Sequence, residues 1–308
     1  MVKRYLDCSA SELAALQARE LLDSLRQSEG RIIVSETISA VQPLLMSVTN
    51  AELAASQGAD LLLLNMFDVN SPCVQGMPAG SEPGETLRDL QRLTGRVIGV
   101  NLEAVDPGFT DHHNEFWAMK AGRLATSQNA LKLVEMGAKF IVLTGNPGNG
   151  VSNEAIGNCI RAIREATGDK LVIIAGKMHS AGILPAAGEK IITTADVDKF
   201  IACGADILLI PAPGTVPGIT QAYAEQLISH SHQAGKMVMT AIGTSQEGCD
   251  VSTIRQIALM CKMAGADLHH IGDTGYTGIA LPENIQAYSI AVRGVRHTYA
   301  RMARSINR

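Results

Sequence analysis

The side chains of this sequence that could do chemistry stand in one kind of place, the ends of short apolar runs. Glu36 closes the run from Ile32, Asn65 and Asp68 follow Leu61 to Leu64, and Asn101 and Glu103 end the run from Val97. Thr144 and Asn146 follow Phe140 to Leu143, Lys177 and His179 follow Val172 to Ala175, and His270 sits inside the last run, Leu268 to Ile271. Lys177 is the most specific of these. A lysine ending a buried run, between Gly176 and Met178, loses its proton by desolvation and can then form a Schiff base with a carbonyl. Kept charged, it would polarise a carbonyl or hold a phosphate, and an ion pair with Glu103 or Glu36 is the purely structural alternative. Glu103 and Glu36, beside apolar walls, are the candidate general bases for removing a carbon-bound proton. Asp68, Glu103, His179 and His270 have the donors for Mg2+ or Mn2+, although no local ligand spacing assigns a metal residue.

Two glycine-rich stretches add anion-binding capacity. Gly243-Thr244-Ser245 and Gly272-Asp273-Thr274-Gly275 follow the last two apolar runs, where glycine lets backbone N–H groups approach an anion and the hydroxyls add donors. With Asn65, Asn101, Thr144 and Asn146 they form the expected binding set for a small phosphorylated metabolite. Tight turns are the alternative, and Asp273 favours it because a carboxylate repels phosphate. The stretch from Gly145 to Ser152 has the glycine spacing of a nucleotide-binding P-loop, but Val151 stands where lysine is needed, which excludes that reading.

The elements that position these residues are marked by a repeat. Gly58-Ala59-Asp60, Gly137-Ala138-Lys139, Gly204-Ala205-Asp206 and Gly265-Ala266-Asp267 each end a helical stretch and enter an apolar strand. A second set of strands falls between them, beginning at Arg31, Arg96, Lys170 and Lys236, which makes eight. The intervening segments are long enough for helices, so the strands pair in parallel with right-handed crossovers. The expectation is an α/β fold, a (β/α)8 barrel with an N-terminal helical extension, as one domain over residues 1–308. Residues 1–29 form a helix capping the barrel bottom, read from apolar spacing between Ser9 and Ser28, and 293–308 form a C-terminal helical tail with a solvated, arginine-rich end. In such barrels the loops after the strands build the active site. Three of these are long, 67–84, 104–124 and 177–194, and the second carries Phe109, His112, His113, Phe116 and Trp117, suited to a lid or to a contact in a homo-oligomer. In strand 8 the alternation turns His270 inward and His269 toward a helix.

Composition bounds the function classes. At 308 residues, 46% hydrophobic and 18% charged, the chain has a large aliphatic core and no disordered composition. A formal charge of −4 gives no basic field for nucleic acid, and no apolar stretch reaches the length of a membrane span. A cytoplasmic enzyme is expected, with its six cysteines as free, buried thiols.

The strand pattern from Arg31 to Arg293, with its two glycine loops, resembles the phosphate-binding (β/α)8 superfamily. That resemblance implies a phosphorylated substrate anchored at loops 7 and 8. Asp273-Thr274-Gly275-Tyr276 also resembles the metal loop of the phosphoenolpyruvate mutase and isocitrate lyase superfamily, but Ile271 replaces a required aspartate and the loop follows the last strand rather than an early one. Asn65 to Asn70, Thr144 to Gly148 and Pro211 to Gly218 are similar to an uncharacterised bacterial family labelled haloacid dehalogenase-like hydrolase. The residues oppose that label, because Asp68-Val69-Asn70 follows strand 2 and has an amide for the second carboxylate. The function expected is aldolase, lyase or isomerase chemistry on a phosphorylated carbonyl metabolite, through a carbanion or Schiff base. The alternatives are a metal-dependent lyase or hydrolase and a non-catalytic phosphometabolite-binding protein.

Overall fold

Eight parallel strands close on themselves in chain order, β1 pairing with β2 and so on round to β8, which pairs back with β1. The computed structural model describes residues 2–109, 119–145, 150–178 and 191–308. The strands are β1 Ile32–Ile38, β2 Leu61–Asn65, β3 Val97–Glu103, β4 Phe140–Thr144, β5 Val172–Gly176, β6 Ile207–Pro211, β7 Met237–Ile242 and β8 Leu268–Ile271. Strand alternation sorts their side chains into two cores. Ile33, Leu62, Ile98, Ile141, Ile173, Leu208 and Val238 face the surrounding helices, while Ile32, Val34, Leu63, Phe140, Val142, Ile174, Leu209 and Met239 fill the barrel. The closed barrel replaces the doubly wound sheet that the haloacid dehalogenase-like label would require, so that label is not supported.

The Gly-Ala repeat has a structural explanation. Helix α3 (Asn50–Ser56), α5 (Ser127–Met136), α7 (Thr194–Cys203) and α9 (Val251–Met263) precede the four copies. Each glycine takes a left-handed φ, from 94° to 110°, which costs a residue without Cβ nothing. The glycine and alanine N–H groups return to the last helical carbonyls, as Gly204 to Ile201 and Ala205 to Phe200, which satisfies groups the helix leaves orphaned. The charged residue then joins two strands. Asp60, Asp206 and Asp267 accept the N–H of Ile33, Ile173 and Val238 at 2.8, 2.9 and 2.8 Å, and Arg293, Arg164 and His232 pair with the same carboxylates. Lys139, in the second copy, has no carboxylate to offer.

The N-terminal end of the barrel is closed by two helices rather than one. The chain breaks between α1 (Ala10–Ala15) and α2 (Ala18–Arg26) because Gln17 and Glu20 form a second capping box. Tyr5, Leu13, Leu21 and Leu25 pack with the lower barrel residues, and Tyr5 Oη donates to the Asp60 carbonyl at 2.6 Å. The arginine-rich tail is solvated only in part, at Arg296 and from Ser305 to Arg308. It continues the last helix, α10 (Pro282–Ala303, kinked at Gly294), and its Arg293 and Arg301 are buried against Asp60. Not all cysteines are buried either, since Cys73 is exposed. No helix among the described residues is long and apolar enough to cross a membrane.

Candidate active site

The inward alternation that fills the barrel with aliphatics brings polar residues to its C-terminal mouth. Glu36 stands two residues beyond Val34, Asn65 two beyond Leu63, Thr144 two beyond Val142 and His270 two beyond Leu268, with Asn101 and Glu103 on β3. The deepest pair is His270 and Glu36, whose ring Nε2 and carboxylate Oε2 lie 3.0 Å apart with both side chains buried. In this pair the imidazole N–H is the donor and the carboxylate the acceptor. Nδ1 of His270 and Oε1 of Glu36 have no partner among the described residues.

Above this pair, Asp273 joins two elements. Its Oδ2 accepts from Asn65 Nδ2 at 2.9 Å and its Oδ1 accepts from the Gly275 N–H at 2.8 Å. Asn65 is fixed in turn, because its Oδ1 accepts from the Met66 N–H at 2.8 Å and from Asn101 Nδ2 at 3.3 Å. Burial, and then the negative charge of Glu36, raise the Asp273 carboxyl to about 6. Glu247, in the loop after β7, arrives beside it. Its Oε1 accepts from the Thr274 N–H at 3.2 Å, its Oε2 is buried without a partner among the described residues, and burial raises its carboxyl too. Of the five non-glycine residues with left-handed φ among those described, Met66, Ser245 and Thr274 lie at this mouth. Such strain, at ~1–3 kcal/mol each, concentrates where function demands a fixed geometry.

The expected residues are thus brought together in part. Glu36, His270, Asn65 and Asn101 share one network. Glu103 stands apart from the bases, since its carboxylate is held by Arg123 at 2.5 Å, both buried. Lys177 is 7% exposed and forms no ion pair with Glu36 or Glu103; burial lowers its pKa, and the carboxylates acting on it are Asp196 and Asp106. Thr144 is buried, its hydroxyl without a partner among the described residues. Asp68 turns to its own loop, accepting from the Asn70 N–H at 2.9 Å. His179 and Asn146 lie outside the described residues, as do most of the aromatics of the 104–124 loop. Among the described residues no three His, Cys, Asp or Glu side chains converge as metal ligands, so the set proposed for Mg2+ or Mn2+ is not assembled by Asp68, Glu103 and His270.

The glycine loops differ most from expectation. The N–H groups of Thr274 and Gly275 donate to the protein's own carboxylates, and the Thr244 hydroxyl donates to the Thr215 carbonyl at 2.8 Å. Gly243 is covered by Met178, whose sulfur lies 2.6 Å from where a Cβ would stand, and a Cβ on Gly272 would meet the Ile242 carbonyl at 2.8 Å. These glycines permit close packing, and in the loop after β8 the amides of Gly272, Thr274 and Gly275 already donate within the protein. Glu247 and Asp273 were the residues that motif reading did not place among the site residues. Their signal was two acids in the short loops after adjacent strands.

A family model described as Domain of unknown function (DUF7916) matches residues 6–308. The chain belongs to that family. No curated protein matches this DUF7916 chain. Among solved structures it is similar to a protein from Burkholderia cenocepacia J2315 provisionally assigned as a lyase/mutase, with 18% identity and a TM-score of 0.51 over 85% of this chain and 82% of that one. It is also similar to 2,3-dimethylmalate lyase, a member of the phosphoenolpyruvate mutase/isocitrate lyase superfamily, with 13% identity and a TM-score of 0.51 over 83% and 81%. At these identities the likeness is one of fold.

Proposed function

We propose that this DUF7916 barrel is an enzyme of the lyase or isomerase type that moves a proton on a small carbonyl compound, with Asp273 as the transferring group. The observation that carries the reading is Asp273 itself, half-buried at the rim, oriented by Asn65 and Gly275, and raised to about 6. A carboxyl titrating there is ionised at neutral pH, yet basic enough to take a proton and acidic enough to return it. Burial sets most of that value and the charge of Glu36 adds to it, while His270 holds Glu36 in place behind. The lyase and mutase names of the two similar barrels support the class of chemistry. The phosphate anchor at Gly243–Ser245 and Gly272–Gly275 is not part of this reading, because an anion there would meet Asp273 and Glu247. A second reading rests on Lys177, whose burial without an ion-pair partner among the described residues favours capture of a carbonyl as a Schiff base.

The test is isotope exchange. A panel of 2-oxo acids and hydroxyketones incubated with the protein in deuterated water should show turnover, or deuterium uptake beside the carbonyl, for at least one member. The rate should rise with pH through about 6 and fall at least ~100-fold in Asp273→Asn, the low end of what general base catalysis supplies. Uptake indifferent to that substitution, or no uptake by any member, overturns the reading.

A further inference from the structure

The acidic side of the mouth names a property of the substrate. Glu36 from β1, Glu247 from the loop after β7 and Asp273 from the loop after β8 act on one another through space, and Glu36 and Glu247 both push the Asp273 carboxyl upward. Among the described residues no lysine or arginine forms an ion pair with any of the three; Arg123 is paired with Glu103, and Lys177 feels Asp196 and Asp106. Three carboxylates thus face one space with a single imidazole against them.

The hydrogen-bond inventory points the same way. Glu36 and Glu247 are each 4% exposed, and Oε1 of the first and Oε2 of the second are buried acceptors with no donor among the described residues. Oδ1 of Asn101, 7% exposed, is a third. An unpaired buried acceptor costs ~1–3 kcal/mol, so a site that keeps several is shaped for something that donates. Phosphate has only acceptor oxygens to offer when ionised. A divalent metal needs ligands converging at about 2.0–2.6 Å, and these carboxylates do not form such a cluster. A primary ammonium brings three N–H donors and one positive charge, at the looser spacing of charge-assisted hydrogen bonds.

We propose that Glu36, Glu247 and Asp273 receive a primary ammonium group, so that the substrate is an amino-bearing carbonyl compound. This rests on the proton-transfer reading above and extends it. An ammonium seated on Glu36 and Glu247 sets the adjoining carbon beside Asp273, the proton-transferring group.

The experiment compares 1-amino-2-propanol with 1,2-propanediol by calorimetric titration of the full chain at neutral pH. The pair differs in the ammonium group and carries no carbonyl, so the outcome is independent of whether the chain catalyses exchange. The aminoalcohol should bind at least tenfold more tightly, and Glu247→Gln, which keeps an acceptor for the Thr274 N–H, should bring the two within about twofold. Equal affinities in the native chain, no binding of either, or a preference retained in Glu247→Gln overturns the inference. So does tighter binding of inorganic phosphate, or of Mn2+ displacing the aminoalcohol. A carbonyl compound that exchanges its proton through Asp273 without any ammonium preference would leave the proton-transfer reading standing and this one not.

Discussion

Lys177 sits where its own charge is disfavoured, beyond a strand of aliphatics and with its pKa lowered by burial. The neutral amine is the form that attacks a carbonyl, and it is populated further by each step the pKa falls. Borohydride added with a small ketone such as pyruvate should therefore leave a reduced adduct on the peptide bearing Lys177, and none in Lys177→Met. Mass spectrometry that finds no adduct on a protein active in isotope exchange would discard Schiff-base chemistry and leave Asp273 untouched. At this scale the sequence was informative where a residue's surroundings are local. A polar side chain two positions beyond an inward aliphatic is inward too, which located Glu36, Asn65 and His270. Glu247 and the Asp273 network were not legible, because they depend on where two separate loops fold over the mouth. The same folding turned the Thr274 and Gly275 amides, two of the expected phosphate donors, toward carboxylates of the chain itself.

Strand 8 departs from its siblings at His269 and His270, and the two neighbours have opposite fates. His270 joins Glu36 inside the barrel, while His269 points outward, donates Nε2–H to the Gly30 carbonyl at 3.0 Å and meets the Tyr288 ring of α10 edge-on at 5.9 Å. Complete burial lowers the His269 pKa from 6.5 to about 4. The unfolded chain binds this proton below about 6.5 and the folded chain only below about 4, so stability is lost as pH falls between them, by about 3 kcal/mol. Urea midpoints from neutral pH to about 4.5 should fall more steeply for the native chain than for His269→Gln, which keeps a donor for Gly30. Parallel slopes would mean that the imidazole is hydrated or already charged in the folded state. The Gly-Ala-Asp copies are legible for a related reason. A left-handed cap and a carboxylate aimed at the neighbouring strand are both local requirements, so the sequence repeats them. Lys139 breaks the pattern without breaking the fold because its own N–H still pairs with the Ile98 carbonyl at 3.1 Å.

At the scale of the molecule, α10 returns to the N-terminal end of the barrel. Arg293 donates to Asp60, to the Gly58 carbonyl and to the Arg31 carbonyl, and Arg301 pairs with Asp60 and donates to the Tyr5 carbonyl at 2.9 Å. Arg96 lies in the same buried cluster, and burial together with Arg301 lowers it to about 10. This knot ties the first strand, the second strand and the last helix. Arg293→Met removes one guanidinium and leaves Asp60 with a single cation, which should lower unfolding stability by about 3–5 kcal/mol in urea titration, the usual cost of breaking a buried pair. A loss under about 1 kcal/mol would show that Arg301 alone satisfies the carboxylate. The expectation of a solvated tail failed at Arg293 and Arg301, because charge density along a helix does not say which face meets a buried partner.

By itself the sequence determined the eight strands, their parallel order, the closed barrel and the end of it that carries the polar residues. Alternation within a strand and glycine caps after a helix are short-range and repeat in every copy, so one chain suffices to read them. Only the tertiary structure decided which polar residues share a network, that Glu103 and Arg123 neutralise each other, that Lys177 stands away from Glu36, and that Glu247 and Asp273 make the mouth acidic. Those outcomes depend on charges and donors meeting across loops far apart in the chain, where pairing is settled by distance and burial rather than by spacing along the sequence.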